Sequence, residues 1–114
     1  MIFTVNPITH GGNSLNNMMK NHQVSFVPLM DVGVSTKDSI AMQSGTDLDI
    51  YLRNPRRMNE YYNGEVWPGQ VHFVDFLHPK ANGFWKNQLH RLYNLVKFSG
   101  VWLDMNEASN FQGN

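Results

Sequence analysis

Cysteine is absent from this 114-residue chain. Disulfides, a thiolate nucleophile and Cys-ligated zinc are therefore excluded within it, although the redox compartment stays open. Neither sign of charge is in excess, with nine Lys and Arg against nine Asp and Glu. A nucleic-acid or anionic-membrane partner needs a sustained positive field, and none is present. No apolar run approaches the roughly 20 residues of a membrane span. The opening Met1-Ile2-Phe3-Thr4 lacks the basic and apolar regions of a signal peptide, so none is expected in this stretch. A neutral, polar ligand fits these absences best.

What is present is the composition of a folded segment. Hydrophobic residues make up 41% and charged residues 16%, which sets the chain apart from disordered and coiled-coil sequences. Aromatic residues reach 12%, enough to fill a core and to offer flat apolar faces to a ligand. The spacing of Leu15, Met18 and Met19 predicts a helix from Asn13 to about His22, capped by Asn13 or Ser14. The run Val24 to Met30, ending in Asp31, predicts a buried parallel strand, with Pro28 out of place in it. Residues 35–64 carry no clean period and are expected to form a long loop excursion, with one small strand at Ile50-Tyr51-Leu52. Asn82 is expected to cap a second helix over Gly83 to Val96. Its apolar face would carry Trp85, Leu89, Leu92, Tyr93 and Val96. Gly100 to Leu103 predicts a short strand ending at Asp104. This alternation of helix and strand belongs to a parallel α/β sheet or barrel.

Two predicted strands thus end in a carboxylate, Asp31 and Asp104. The C-terminal ends of strands form the reactive face of α/β folds, because the loops above them converge there. A lone aspartate at such a place can equally be a turn or cap residue. Asp104 is not alone, since Asp104-Met105-Asn106-Glu107 sets two carboxylates and an amide directly after Trp102-Leu103. An ionised carboxylate beside an aromatic ring suits a nucleophile in a sugar pocket. Spacing does not distinguish Asp104 from Glu107 in that role.

Three segments carry a family resemblance. Trp102-Leu103-Asp104-Met105-Asn106-Glu107 resembles the W-[IL]-D-M-N-E signature of family 31 glycoside hydrolases, the α-glucosidase and sucrase-isomaltase group. Val66-Trp67-Pro68-Gly69 continuing to Phe73-Val74-Asp75-Phe76 is similar to the V-W-P-G-x-x-x-F-P-D-F segment of that family. Met30 to Ser35 is similar to its D-P-[AG]-I-S strand end, with Val32 in place of the proline. Further departures are Val74 for the second proline and Leu77-His78 for Thr-Asn. The three segments occur in the family's order and cover nearly the whole chain.

The resemblance implies a fragment of a (β/α)₈ TIM barrel, about two βα units plus the long inserted loop. Residues 1–114 would be part of the catalytic barrel domain. It implies retaining hydrolysis of terminal α-linked glucose from oligosaccharides or glycans, with Asp104 as nucleophile and Glu107 in support. Trp67, Trp102, Met105, Phe111, Val34 and Asp31 would contact the sugar. It implies no cofactor and no metal, an α-glucoside as partner together with the remainder of the barrel, and a secreted, lysosomal or endoplasmic-reticulum setting. Retaining glycosidases hold two carboxyl groups about 5–5.5 Å apart. The family's acid/base aspartate lies on a later strand than the chain contains, so the isolated chain is expected to be inactive.

Two other readings compete. One is a catalytically inactive carbohydrate-binding or structural barrel fragment, in which Asp104 only accepts a hydrogen bond. The other is a divalent-cation site built from Asp31, Asp104, Glu107 and one of His10, His72 or His78, since oxygen-rich clusters bind such ions. Those residues show no close H-x-x-x-H or D-x-D spacing.

Overall fold

A computed structural model of the chain describes residues 11–107 and 109–112. Helix α1 (Gly11–His22) leads to strand β1 (Leu29–Asp31), close to the expected order. The strand is shorter than its apolar run, because Pro28 has no N–H to give to a ladder. Residues before it only run alongside the end of the chain: Ser99 donates to the Phe26 carbonyl at 2.8 Å and Trp102 to that of Pro28 at 2.9 Å.

After Asp31 the backbone bends at Val32 and leaves the first sheet for a second one. The predicted loop over 35–64 is instead mostly regular. Strand β2 (Gly33–Ser35) is followed by helix α2 (Ser39–Leu48), a hairpin of β3 (Arg53–Asn54) and β4 (Arg57–Tyr61), and then β5 (Asn63–Val66) and β6 (Gly69–Phe73). The second sheet is antiparallel with order β2-β6-β5. Ile50 to Leu52 makes only one isolated bridge, Tyr51 to Val74, in place of a full strand. Mixed polar and apolar residues hid these elements. Their strands have two to five residues, too short for a period to emerge.

Helix α2 shows why its sequence folds locally. The Asp38 carboxylate accepts the Ala41 N–H at 3.1 Å, an N-cap. At the other end Asp49 adopts a left-handed conformation (φ 56°), and its N–H returns to the Thr46 and Gly45 carbonyls. Helix α3 (Ala81–Leu95) starts two residues before the expected Gly83, and Asn82 lies exposed in its first turn. The preceding turn meets its first donor, since Ala81 N–H reaches the His78 carbonyl at 3.0 Å, and the turn is itself held by the Lys80 N–H on His78 Nδ1.

The buried face of α3 is Ala81, Phe84, Gln88 and Leu92, with Val96 just beyond. This is rotated from the expected stripe. Trp85 and Leu89 are half-buried and Tyr93 is exposed. A buried Gln88, bonded to Arg91, interrupted the hydrophobic reading of the true face. Asn16 of α1 then closes the end of α3, donating to the Leu95 carbonyl at 3.0 Å and accepting the Lys97 N–H at 2.8 Å.

The last strand, β7 (Trp102–Asp104), pairs in parallel with β1. Among the described residues three small cores join these parts. Met30 and Leu92 seat α3 on the parallel pair, with Trp85, Leu89, Phe98 and Val101 around them. Val34, Ala41, Ile50, Tyr51, Val74, Ala81 and Phe84 bind α2 and the second sheet to α3. Val32, Val66, Val71 and Phe73 form the third, with Tyr62 and Met105 against it. Among the described residues no closed barrel forms. Leu29, Trp102 and Leu103 on the two parallel strands stay 47%, 61% and 51% exposed, whereas parallel sheets are ordinarily covered on both faces. Among the described residues no helix is long and apolar enough to cross a membrane.

Tyr51 packs hard into the middle core. Its hydroxyl donates to the Ala41 carbonyl at 3.1 Å, and burial pushes it above the ordinary tyrosine range. A Cβ on Gly45 would lie 2.2 Å from that hydroxyl. Gly45→Ala is therefore expected to destabilise the fold by about 1–3 kcal/mol through overpacking, measured as a lower urea midpoint at unchanged m-value. The exposed Asp49 carboxyl is held below its usual range, first by the Tyr61 hydroxyl and then by Arg53. Because its folded pKa is depressed, its contribution is present above about pH 4 and lost as pH falls through the lower folded value. Asp49→Asn is expected to flatten that acid limb, read from unfolding midpoints between pH 5 and 2.

Candidate active site

Parallel pairing of β1 and β7 runs in register, Leu29 to Trp102, Met30 to Leu103 and Asp31 to Asp104. In-register neighbours on adjacent strands point to the same face, and their backbones lie about 4.8 Å apart. Asp31 and Asp104 are therefore side by side at the C-terminal ends of two adjacent strands, with Trp102 one pleat below on the same face. Met30 faces the other way, into α3.

The two carboxylates differ in setting. Asp31 is buried, and its Oδ1 accepts the Gly33 N–H at 2.8 Å, making the tight turn by which the chain leaves β1. Its Oδ2 is buried and has no hydrogen-bond partner among the described residues. A buried carboxylate oxygen left so is costly in a folded protein, and such atoms are rare. Asp104 is half-buried and accepts the Met105 N–H at 3.0 Å. Met105 holds a left-handed backbone (φ 64°), a conformation that costs a non-glycine residue on the order of 1 kcal/mol or more. Its side chain offsets that by packing against Val32, Val66, Val71 and Phe73.

Trp67 sits at the tip of the β5–β6 hairpin and is 75% exposed. Its ring meets that of Phe111 edge-on, with centroids 5.0 Å apart. Two of the three aromatic residues expected at the pocket are thus brought together, although 44 positions (67 to 111) separate them in sequence. Glu107 is exposed on the turn beyond Met105.

Val34 does not sit where expected. It is buried in the core of Ala41, Ile50, Tyr51, Val74 and Phe84, so it has no surface to offer a ligand. The reason is the bend at Val32, which makes Val34 a strand residue of the second sheet. Among the described residues, no group of three or more His, Cys, Asp and Glu could hold a metal ion. His10 lies outside them.

An apolar hollow of about 530 Å³ along the outer side of α3, between Trp85, Leu89, Tyr93, Phe98 and Val101, is away from the strand ends. In a (β/α)₈ barrel each outer helix has helical neighbours, so such a flank is a packing face.

The family model for the glycosyl hydrolases family 31 TIM-barrel domain matches residues 2–114. The chain belongs to glycosyl hydrolase family 31. The family 31 chain is 38% identical to an α-glucosidase of Candida tsukubaensis over 80% of its own length and 9% of that protein's. It is 35% identical to an α-glucosidase of Schizosaccharomyces pombe over 96% of itself and 13% of the relative. An α-xylosidase 1 of Arabidopsis thaliana is 32% identical over 96% and 12%. The chain therefore spans about a tenth of the length of these relatives. Among solved structures, the endoplasmic-reticulum glucosidase II complex of catalytic subunit and regulatory binding domain superposes with a TM-score of 0.74. Identity there is 22%, with 90% of this chain and 11% of that chain covered. That likeness concerns the fold, and together with the family model it makes the chain a piece of a TIM-barrel domain.

One group of residues was not anticipated from the sequence. Asn110 accepts the Glu65 N–H at 2.9 Å and donates to the Tyr62 hydroxyl at 3.0 Å. No local pattern points to it, because its partners lie 45 and 48 residues away.

The Asp31 turn yields a stability test. Asp31→Asn keeps an acceptor for the Gly33 N–H and removes a buried charge, whereas Asp31→Ala orphans that N–H. Equilibrium denaturation is expected to put Ala about 1–3 kcal/mol below Asn.

Proposed function

We propose that this chain supplies the nucleophile half of the active site of a retaining α-glucosidase. Asp104 would attack C1 of a terminal α-linked glucose and form a β-glycosyl-enzyme intermediate. An acid/base carboxylate elsewhere in the barrel would first protonate the leaving oxygen and then activate water. The observation that carries this reading is the in-register pair Asp31 and Asp104 at the ends of parallel strands β1 and β7.

The assignments follow from each group's setting. Asp104 is the more exposed of the pair and is held by a backbone N–H, which suits an ionised carboxylate that must reach a substrate. Its fixed negative charge also favours the oxocarbenium-like transition state. Asp31 lies beside it, its buried carboxylate holding the turn after β1, so it would reach a hydroxyl of the same sugar only if its Oδ2, buried and unpartnered among the described residues, turned outward. Trp102 would lie under the ring, Trp67 and Phe111 would form one wall, and Met105 would fix the turn that presents Asp104. Glu107 keeps a supporting electrostatic role. Val34 drops out of the site. The relatives' names support α-glucosides as substrates, and an α-xyloside is the other substrate they support. Uncovered parallel strands support the remainder of the barrel as the chain's partner.

One carboxylate cannot both attack and protonate, so the isolated 114-residue chain is expected to release no product from a chromogenic α-glucoside. In a protein carrying the whole barrel, Asp104→Asn is expected to lower kcat at least a thousandfold, about 4 kcal/mol. A fluorinated glucosyl donor should label the peptide containing Asp104. Clear turnover by the variant, or a label found on another residue, would overturn the assignment. A wild-type barrel that binds glucosides without turning them over would make the domain a carbohydrate-binding one.

A further inference from the structure

We infer that Asn110 is the positioning residue of this site, holding the Trp67–Phe111 wall in place by clamping the segment after β7 onto the β5–β6 hairpin. The inference rests on the pocket reading given above. One short amide does three things. Its Oδ1 accepts the Glu65 N–H at 2.9 Å and the Gln112 N–H at 3.3 Å, and its Nδ2 donates to the Tyr62 hydroxyl at 3.0 Å. Backbone N–H groups can only donate, so the amide oxygen must face Glu65 and Gln112, leaving the NH₂ for Tyr62. Next to it, Phe111 donates its own N–H to the Glu65 carbonyl at 2.7 Å. Gln112 adds a longer contact, its Nε2 reaching the Glu65 carboxylate at 3.4 Å.

The seat for this amide is shaped by its surroundings. A Cβ on Gly64 would stand 2.2 Å from the Phe73 ring and 3.3 Å from the Asn110 Oδ1. Glycine there lets the hairpin lie against Phe73 and leaves room for the amide. Tyr62 in turn rests against Phe73, centroids 6.2 Å apart. The hairpin is thereby fixed from below by aromatic packing and from the side by Asn110.

Asp104 is held by different bonds: the β1–β7 ladder and the Met105 N–H. None of these involves Asn110. Loss of the clamp should therefore release the wall and leave the nucleophile where it is. The separation is specific, because a wall acts on binding of the sugar whereas a nucleophile acts on the chemical step.

The test uses the protein with its whole barrel. Asn110→Ala is expected to raise both KM for an α-glucoside and Ki for a glucose-configured iminosugar about tenfold, with kcat changed less than about threefold. Asn110→Asp should restore both constants to within about threefold of wild type, because its carboxylate accepts the two N–H groups while the Tyr62 hydroxyl turns to donate. Tyr62→Phe removes one bond of the clamp and should raise KM about threefold. It carries the test alone if Asn110→Ala does not fold. Unchanged KM and Ki with only a lower unfolding midpoint would overturn the inference, as would a fall in kcat at constant KM. Labelling of wild-type Asp104 by the fluorinated donor is scored separately. A failed nucleophile assignment appears there, while a failed clamp appears in the binding constants.

Discussion

The organisation of this chain depends on one ladder of six residues, the in-register parallel pairing of Leu29–Asp31 with Trp102–Asp104. Hydrogen bonding across it carries no chemistry, yet register fixes which side chains are neighbours. A slip of one residue would turn Asp104 to the helix side and Leu103 to the reactive side, since side chains alternate along a strand. Met30 guards against that slip, because it is buried against Leu92 of α3 and could not trade places with the carboxylate beside it. The apolar packing on one face thus sets the polar arrangement on the other.

Around that ladder the second sheet acts as a clamp. The chain leaves β1 at Asp31, builds α2 and the β2-β6-β5 sheet, and returns through α3 to β7. Met105, directly after Asp104, packs into the core of that sheet, and Phe111 meets its hairpin tip. The excursion is therefore more than an ornament on a barrel loop. It grips the residues on the far side of the candidate nucleophile, and its stability is coupled to the geometry of the site.

Among the described residues the cores are small and three in number, which suits a piece of a larger barrel. Each seats one junction: helix on parallel strands, α2 on α3, or hairpin on the turn after β7. Large apolar side chains remain exposed where the parallel strands would meet further strands. Membership of family 31 and the short span relative to its relatives agree with that picture.

Residue types and local runs determined several things unaided. Both β1 and β7 end at an aspartate, as the apolar runs before Asp31 and Asp104 require, and the order of helix and strand follows from sequence spacing. The motif around Asp104 was enough to suggest the family, because its specificity resides in adjacent residues. Tertiary structure decided the rest. Residues 35–64 form a helix and short strands whose pairing partners are remote, so no period could announce them. The buried face of α3 runs through Gln88, a polar residue that is tolerated inside because Arg91 bonds to it. Val34 went to the core because Val32 bends the chain, a turn set by where β6 lies. The contact of Trp67 with Phe111 and the clamp at Asn110 join residues more than 40 positions apart. Such contacts depend on the folded path of the backbone, and a linear sequence records only what its neighbours along the chain can enforce.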